Sequence, residues 1–294
     1  MNILHHMGNT PIVEVKNIYN HKYGRIWVKL EEFNPGGSIK SRVGLQMIND
    51  AEKAGLLSHG SQIIEPTGGN TGLGLALASA IKGYDLTLVI PDNFSEEKVN
   101  TLKKYGAHIL RSDHKTGPGS HIRLVHEILK EDNKYVFLDQ FTNISNPFAH
   151  YLTTGKEIIS NFRNEVSAFI CSIGSGGTIA GVGRRLKEYN AKIKIVGVQP
   201  KGCDIKNGIF IPHKIEAIAV GIIPPFIDFN QIDHFIDVDI NEVQDIRNYL
   251  LRKEGLFIGI SSGANVLAAM KLSKQYKDTD NIVTIAPDSG RSYM

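Results

Sequence analysis

The chain has 294 residues, 41% hydrophobic and 21% charged, with a formal net charge of +3 drawn from well-mixed signs. This is the composition of an ordinary soluble globular protein long enough for a large core. Without a Lys/Arg block interleaved with aromatics, nucleic acid is excluded as an expected partner.

In chain order, short β-rich runs alternate with helical patterns. IWVKL (26–30) leads into a helical segment at 41–55, QIIE (62–65) into one at 71–83, and LTLVI (86–90), HIL (108–110) and VFL (136–138) follow as strands. A helical segment at 148–162 precedes AFICSI (168–173) and IKIVGV (193–198), and another at 242–255 precedes IVTIA (282–286). Such alternation predicts an α/β fold of mainly parallel sheets with helices on both faces. GCDIKNGIFIPHK (202–214) and IIPPFIDF (222–229) read as long connections, which in compact enzymes are often active-site elements. No low-complexity linker divides the chain, so two domains would share an intimate interface with a ligand cleft between them.

Cys171 and Cys203 are far apart and neither belongs to a CxxC pair, so no disulfide framework and no metal cluster is expected. The N-terminal MNILHHMGNTPIVEV lacks a basic region followed by an apolar core, and no stretch approaches the roughly 18 apolar residues of a membrane span. The expectation is a cytoplasmic protein with no membrane partner.

NPGGSIKSR (34–42) resembles half of a phosphate loop, but a P-loop carries Gly directly before its Lys and Lys40 follows Ile39. EPTGGNTG (65–72) ends a strand and opens a helix, where exposed backbone N–H groups suit a carboxylate or phosphate; the plain alternative is a helix start with a Thr or Asn cap. GSGGTIAG (174–181) repeats the arrangement after AFICSI, with Ser175 and Thr178 as hydroxyl donors for a phosphate monoester. As a dinucleotide fingerprint it fails, because Ile179 stands at the third glycine position. GISSGAN (259–265) follows the apolar run LFI and precedes the helix VLAAMKLSKQ; alone it reads as another cap. Three such turns and a Lys flanked by Gly and Ser suggest a small ligand with a phosphate and other anionic groups. A lysine amine condenses with an aldehyde to a Schiff base, and pyridoxal phosphate unites an aldehyde with a phosphate.

These four stretches, with the terminal PDSGRSY, resemble in the same order the signatures of the cysteine synthase and cystathionine β-synthase family, from GNTPIVEV (8–15) almost to Met294. The resemblance implies pyridoxal 5'-phosphate as cofactor and the tryptophan-synthase-β (type II) fold. That fold has two three-layer αβα domains with mainly parallel twisted sheets and an active site in the cleft between them. It divides the chain into a large cofactor-binding domain, 1–34 and 146–294, and a smaller mobile domain, 35–145, carrying Lys40 and the substrate-carboxylate loop. Lys40 would hold the cofactor and then act as general base at the substrate Cα. Asn70 would bond the phenolic oxygen, Gly174, Ser175, Gly176, Gly177 and Thr178 the phosphate, and Ser261 would face the pyridine nitrogen. Thr67, Gly68, Gly69, Thr71 and Gln140 match the positions that grip the substrate carboxylate.

Several residues depart from that pattern. Gly68 stands where many members have Ser, Ser41 where Asp is common, and Ala217 and Ala219 replace the usual Gly-Ile-Gly glycines at the substrate entrance. Gln199 replaces a common Glu, and Arg291-Ser292 a Glu-Arg. VQPKGCDIKNG with IIPPF looks closer to bacterial members that make cystathionine from O-acetylserine and homocysteine. The expected reaction is β-replacement on O-acetylserine with sulfide, giving cysteine and acetate, in a homodimer. Homocysteine as nucleophile, cysteine breakdown to sulfide, and a cofactor-binding regulator without turnover are the alternatives.

Overall fold

The computed structural model describes residues 1–18, 22–163 and 165–294. In chain order β1 (Ile12–Glu14) and β2 (Arg25–Leu30) precede α1 (Lys40–Lys53), β3 (Gln62–Glu65), α2 (Asn70–Lys82), β4 (Asp85–Pro91), α3 (Glu96–Lys104), β5 (His108–Ser112), α4 (Ser120–Glu131) and β6 (Tyr135–Phe137). Then come α5 (Ser145–Ala149), α6 (Gly155–Phe162), β7 (Val166–Ser172), α7 (Gly177–Tyr189), β8 (Lys194–Pro200), β9 (His234–Val238), α8 (Ile240–Glu254), α9 (Ile260–Ser273) and β10 (Asn281–Ala286).

The strands form two sheets, β5-β4-β3-β6 and β1-β2-β10-β7-β8-β9. Every pairing is parallel except the edge pair β1 and β2. The predicted α/β architecture with mainly parallel sheets is therefore present. Inner strands are apolar on both faces because helices cover both. Ile170, Val196 and Ile282 enter one core, while their neighbours Phe169, Ile195 and Val283 enter another on the opposite face of the larger sheet. A third core joins Val43 and Met47 of α1 and Leu75 of α2 to Leu88 of β4.

Two edge strands, β1 and β9, escaped the sequence reading: one is three residues long, and the other, His-Phe-Ile-Asp-Val, interrupts its apolar residues with the exposed His234 and Asp237. The helix expected at 148–162 is interrupted: a single π-turn, His150–Thr154, separates α5 from α6. There the Thr153 hydroxyl donates to the Ala149 carbonyl at 2.6 Å, a local bond that competes with the regular helical ladder.

Two features hold Lys40, the first residue of α1. The first is a close crossing of α1 and α2: a Cβ on Gly74 would lie 2.6 Å from the Lys40 carbonyl oxygen, and one on Gly44 2.7 Å from the Gly74 carbonyl carbon. The second is a buried ion network. Arg42 donates to Glu31 (Nε–Oε2 2.6 Å) and to both oxygens of Glu157 (2.6 and 2.8 Å), and Lys29 Nζ reaches Glu157 at 2.7 Å. The network ties β2, α1 and α6 together. Burial opposes ionisation of Glu157, but hydrogen bonds and charge from Arg42 and Lys29 outweigh it and hold its carboxyl at about 2.

Arg42→Ala leaves the buried Glu31 without its cation and Glu157 with Lys29 alone, and is expected to lower the unfolding free energy by about 3–5 kcal/mol in urea titrations near neutral pH. The Glu157 contribution is present above its unfolded value of about 4.3 and is lost as pH falls toward the folded one. The deficit of the variant should therefore shrink as the titrations are repeated at lower pH. An unchanged deficit would mean that the network is not the source of the stability.

Candidate active site

A cavity of about 230 Å³ opens at the carboxyl ends of β3, β7 and β10, where ligands bind in open parallel sheets. Its lining includes Lys40, Thr67, Gly69, Asn70, Thr71, Gln140, Gly174, Ser175, Gly176, Thr178 and Ser261. Eleven of the thirteen site residues read from the sequence thus meet in one place. The other two do not line it: Gly68 faces an adjoining cavity, and Gly177 packs behind the glycine turn.

Four helices, α1, α2, α7 and α9, begin at this cavity; α2, α7 and α9 carry no side-chain cap, while at α1 Ser38 Oγ accepts from the Lys40 N–H at 3.3 Å. By contrast α3 and α8, which start outside it, are capped by Ser95 and Asp239. Uncapped N-termini direct free N–H groups and positive dipole ends inward, a setting that selects anions. Helix α2 begins one residue before the expected 71, so Asn70 joins Thr71 in its first turn, and α9 begins at Ile260 within GISSGAN rather than after it, placing Ser261 in its first turn.

The Lys40 amine donates to Ser175 Oγ at 3.0 Å. Enclosure in the cavity pushes its pKa down to about 8, with the adjacent Cys171 opposing. Cys171 is itself pushed up to about 12 by burial, against the pull of Lys40, and stays a thiol. Ser175 Oγ also accepts from Asn146 Nδ2 at 3.1 Å. Two donors fill its lone pairs, so its own O–H is free to donate. Asn146 is fully buried and donates as well to the Gln140 carbonyl at 2.7 Å; its Oδ1 fills the place a Cβ on Gly177 would take, 1.9 Å away.

On the opposite wall, Thr71 Oγ1 donates to Gln140 Oε1 at 2.7 Å. The backbone of Gln140 is anchored by Glu65, whose carboxylate accepts N–H groups from Asp139 and Gln140 at 3.0 and 3.1 Å. Burial pushes the Glu65 carboxyl up to about 7, those backbone donors opposing. Asn70 Nδ2 donates to Asp288 Oδ2 at 2.7 Å, and the same oxygen accepts from Tyr293 at 2.9 Å. The Ser261 hydroxyl has no partner among the described residues and is 3% exposed.

This donor set fits the cofactor implied by the motifs. The uncapped start of α7 and the Ser175 hydroxyl suit its phosphate, the Lys40 amine its aldehyde, Ser261 its ring nitrogen, and the second Asn70 N–H its phenolic oxygen. Sequence reading missed Asn146, Glu65 and Asp288 as supports, although Asp288 lies within the quoted PDSGRSY.

The departures have local explanations. A Cβ on Gly68 would meet Ile90 at 2.8 Å and Phe94 at 2.9 Å, so those side chains occupy the space of the missing one. Gln199 bonds Asp237 and the Ile205 N–H and is structural. Ala217 and Ala219 sit at φ 65° and 46°, the left-handed region that suits glycine, and Ala217 lines both cavities. Arg291 and Ser292 line the adjoining cavity, of about 310 Å³. Nothing in the structure explains Ser41, whose buried hydroxyl has no partner among the described residues.

The sequence matches the family described as "Pyridoxal-phosphate dependent enzyme" over residues 3–288. It is 41% identical to a cystathionine beta-synthase of Apis mellifera, matching over 99% of this chain and 60% of that protein, so it spans less than two thirds of that relative. It is 37% identical to a cysteine synthase of Staphylococcus aureus over 100% of this chain and 95% of that one. The solved hydrogen sulfide-producing enzyme of Fusobacterium nucleatum superposes with a TM-score of 0.92 at 38% identity, covering 100% of this chain and 99% of the other.

Capture of a small aldehyde by Lys40, trapped with borohydride and located by peptide mass, should reach half its maximum near pH 8. An unperturbed lysine would do so near ~10.4, and that outcome would refute the enclosure of the amine. Ala217→Gly relieves a left-handed alanine and should raise stability by about 1 kcal/mol in denaturant unfolding, whereas a loss would show that the methyl is packed to advantage.

Proposed function

The chain belongs to the pyridoxal-phosphate dependent enzymes, and on that premise we propose that it catalyses β-replacement on O-acetylserine with sulfide, yielding cysteine and acetate. One observation carries the reading. An enclosed amine, Lys40, stands between an uncapped helix start with a free Ser175 O–H and a second uncapped helix start flanked by Thr67, Thr71 and Gln140. The first anion site suits the cofactor phosphate and the second the substrate carboxylate.

Pyridoxal phosphate supplies an aldehyde for the substrate amine and a ring that withdraws electrons from Cα. The α2 N-terminus, with Thr67, Gly69, Thr71 and Gln140, orients the carboxylate so that the Cα–H faces Lys40. Near neutrality an amine with a pKa of about 8 takes up and returns a proton readily. Lys40 Nζ removes the Cα proton, the Cβ–O bond breaks and acetate departs with its electrons; sulfur then bonds Cβ and Lys40 returns the proton to Cα. Ser261, a hydroxyl rather than a carboxylate, leaves the ring nitrogen unprotonated, which suits elimination at Cβ. Closure of 35–145 over 1–34 and 146–294 would exclude water from the reacting centre. A cytoplasmic homodimer completes the proposal.

The adjoining cavity favours a second reading. It shares Gly69, Asn70, Ala217 and Asp288 with the first and carries Lys98, Arg291, Glu97 and Glu216, charges for both ends of a zwitterion. An amino-acid thiol such as homocysteine fits it, where sulfide needs no such space.

Steady-state rates with O-acetylserine and either sulfide or homocysteine decide between them: higher kcat/KM with sulfide supports the first reading, and with homocysteine the second. Lys40→Ala should lower kcat at least about 100-fold with both. Inactivity of the cofactor-loaded wild type with both nucleophiles, and with free cysteine, would sink β-replacement altogether.

A further inference from the structure

His150 lies at the start of the π-turn between α5 and α6 and is fully buried. Its Nε2 is 3.4 Å from Thr178 Oγ1 and its Nδ1 is 3.0 Å from Thr154 Oγ1, so the imidazole spans a buried hydroxyl on one side and a cavity hydroxyl on the other. Burial, and then the charges of Lys40 and Arg42, hold the ring neutral, with Glu157 opposing weakly. A neutral imidazole has one N–H, and where it sits decides which way the Thr178 hydroxyl points.

We propose that His150 is a positioning residue for the phosphate: Nε2–H donates to Thr178 Oγ1, the Thr154 hydroxyl donates to Nδ1, and the Thr178 O–H is thereby turned into the cavity as a donor. The proposal rests on the reading of 174–178 as the phosphate loop. It gives Thr178 the kind of polarity that Asn146 gives Ser175, whose Oγ accepts from Asn146 Nδ2 at 3.1 Å and keeps its own O–H to donate once the Lys40 amine is taken by the aldehyde. Both hydroxyls then offer protons to a dianionic phosphate, which accepts hydrogen bonds and has none to give. The π-turn contributes the geometry, since His150 and Thr154 bond across its own widened turn. The opposite tautomer would take the Thr178 proton for Nε2 and face the phosphate with a lone pair.

Long-range proton–nitrogen correlation spectra of the cofactor-loaded, histidine-labelled protein test this directly, with His150→Gln identifying the His150 signals among the 11 histidines. A protonated Nε2 and bare Nδ1 are expected; a protonated Nδ1 or an imidazolium overturns the proposal. Dissociation constants give a second measure. His150→Leu should weaken pyridoxal phosphate roughly ten- to a hundredfold and leave pyridoxal, which has no phosphate, unchanged, while His150→Gln, which keeps an N–H donor, stays within about threefold. Equal weakening of both ligands by His150→Leu would mark a merely structural role and overturn the proposal. Wild-type binding of pyridoxal phosphate no tighter than pyridoxal would instead overturn the phosphate loop itself, and the proposal with it.

Discussion

The constraint on which the structure turns is a concentration of positive potential that the protein does not neutralise. Four helix N-termini and the Lys40 amine converge on one cavity, and three of them, those of α2, α7 and α9, carry no side-chain cap. At α3 and α8 a Ser or Asp satisfies free N–H groups at low cost, although α4, which starts away from the cavity, is also uncapped. At the three uncapped starts around the cavity that gain is forgone, and the potential is left for anions brought from solution. The depressed basicity of Lys40 belongs to the same constraint, since an enclosed ammonium has no carboxylate beside it. The carboxylates behind the start of α1, Glu31 and Glu157, are committed to Arg42 and Lys29 instead.

That separation of charges gives the buried ion network a second significance. It fixes the start of α1 from behind while committing Glu31 and Glu157 to Arg42 and Lys29, which leaves Asp288, bonded to Asn70 and Tyr293, as the carboxyl group in the cavity lining. A network of this kind adds little net stability over an apolar equivalent. Its contribution is placement: Arg42 sits two residues beyond Lys40, and its fork bonds two carboxylates from different elements.

Much of this was legible from local pattern. Apolar runs ending in glycine turns announce strand-to-helix junctions, and inner parallel strands announce themselves by being apolar throughout. That is why Lys40, Ser175 and Thr178 could be singled out before any coordinates, whereas Asn70 and Ser261 came only from the family resemblance. What stayed hidden depends on contacts between distant residues. Asn146 earns its importance only by meeting Ser175 and Gln140, Glu65 by meeting a backbone turn some 75 positions away, and His150 by facing Thr178. The edge strand β9 lacked apolar alternation because the adjacent Phe235 and Ile236 pack against the two different cores of the larger sheet, between the exposed His234 and Asp237. Gly68 read as a lost hydroxyl; in space it is the accommodation of Phe94.

The two cysteines carry a consequence for a protein whose proposed chemistry handles free sulfur nucleophiles. Cys171 lies at the cavity itself, yet it remains fully protonated near neutrality, and Cys203 is likewise buried. Thiol–disulfide exchange requires a thiolate with access to its target. A reagent pool rich in persulfides and disulfides would therefore find no partner on this chain, and the working site would keep its capacity under redox conditions that poison exposed-thiol enzymes.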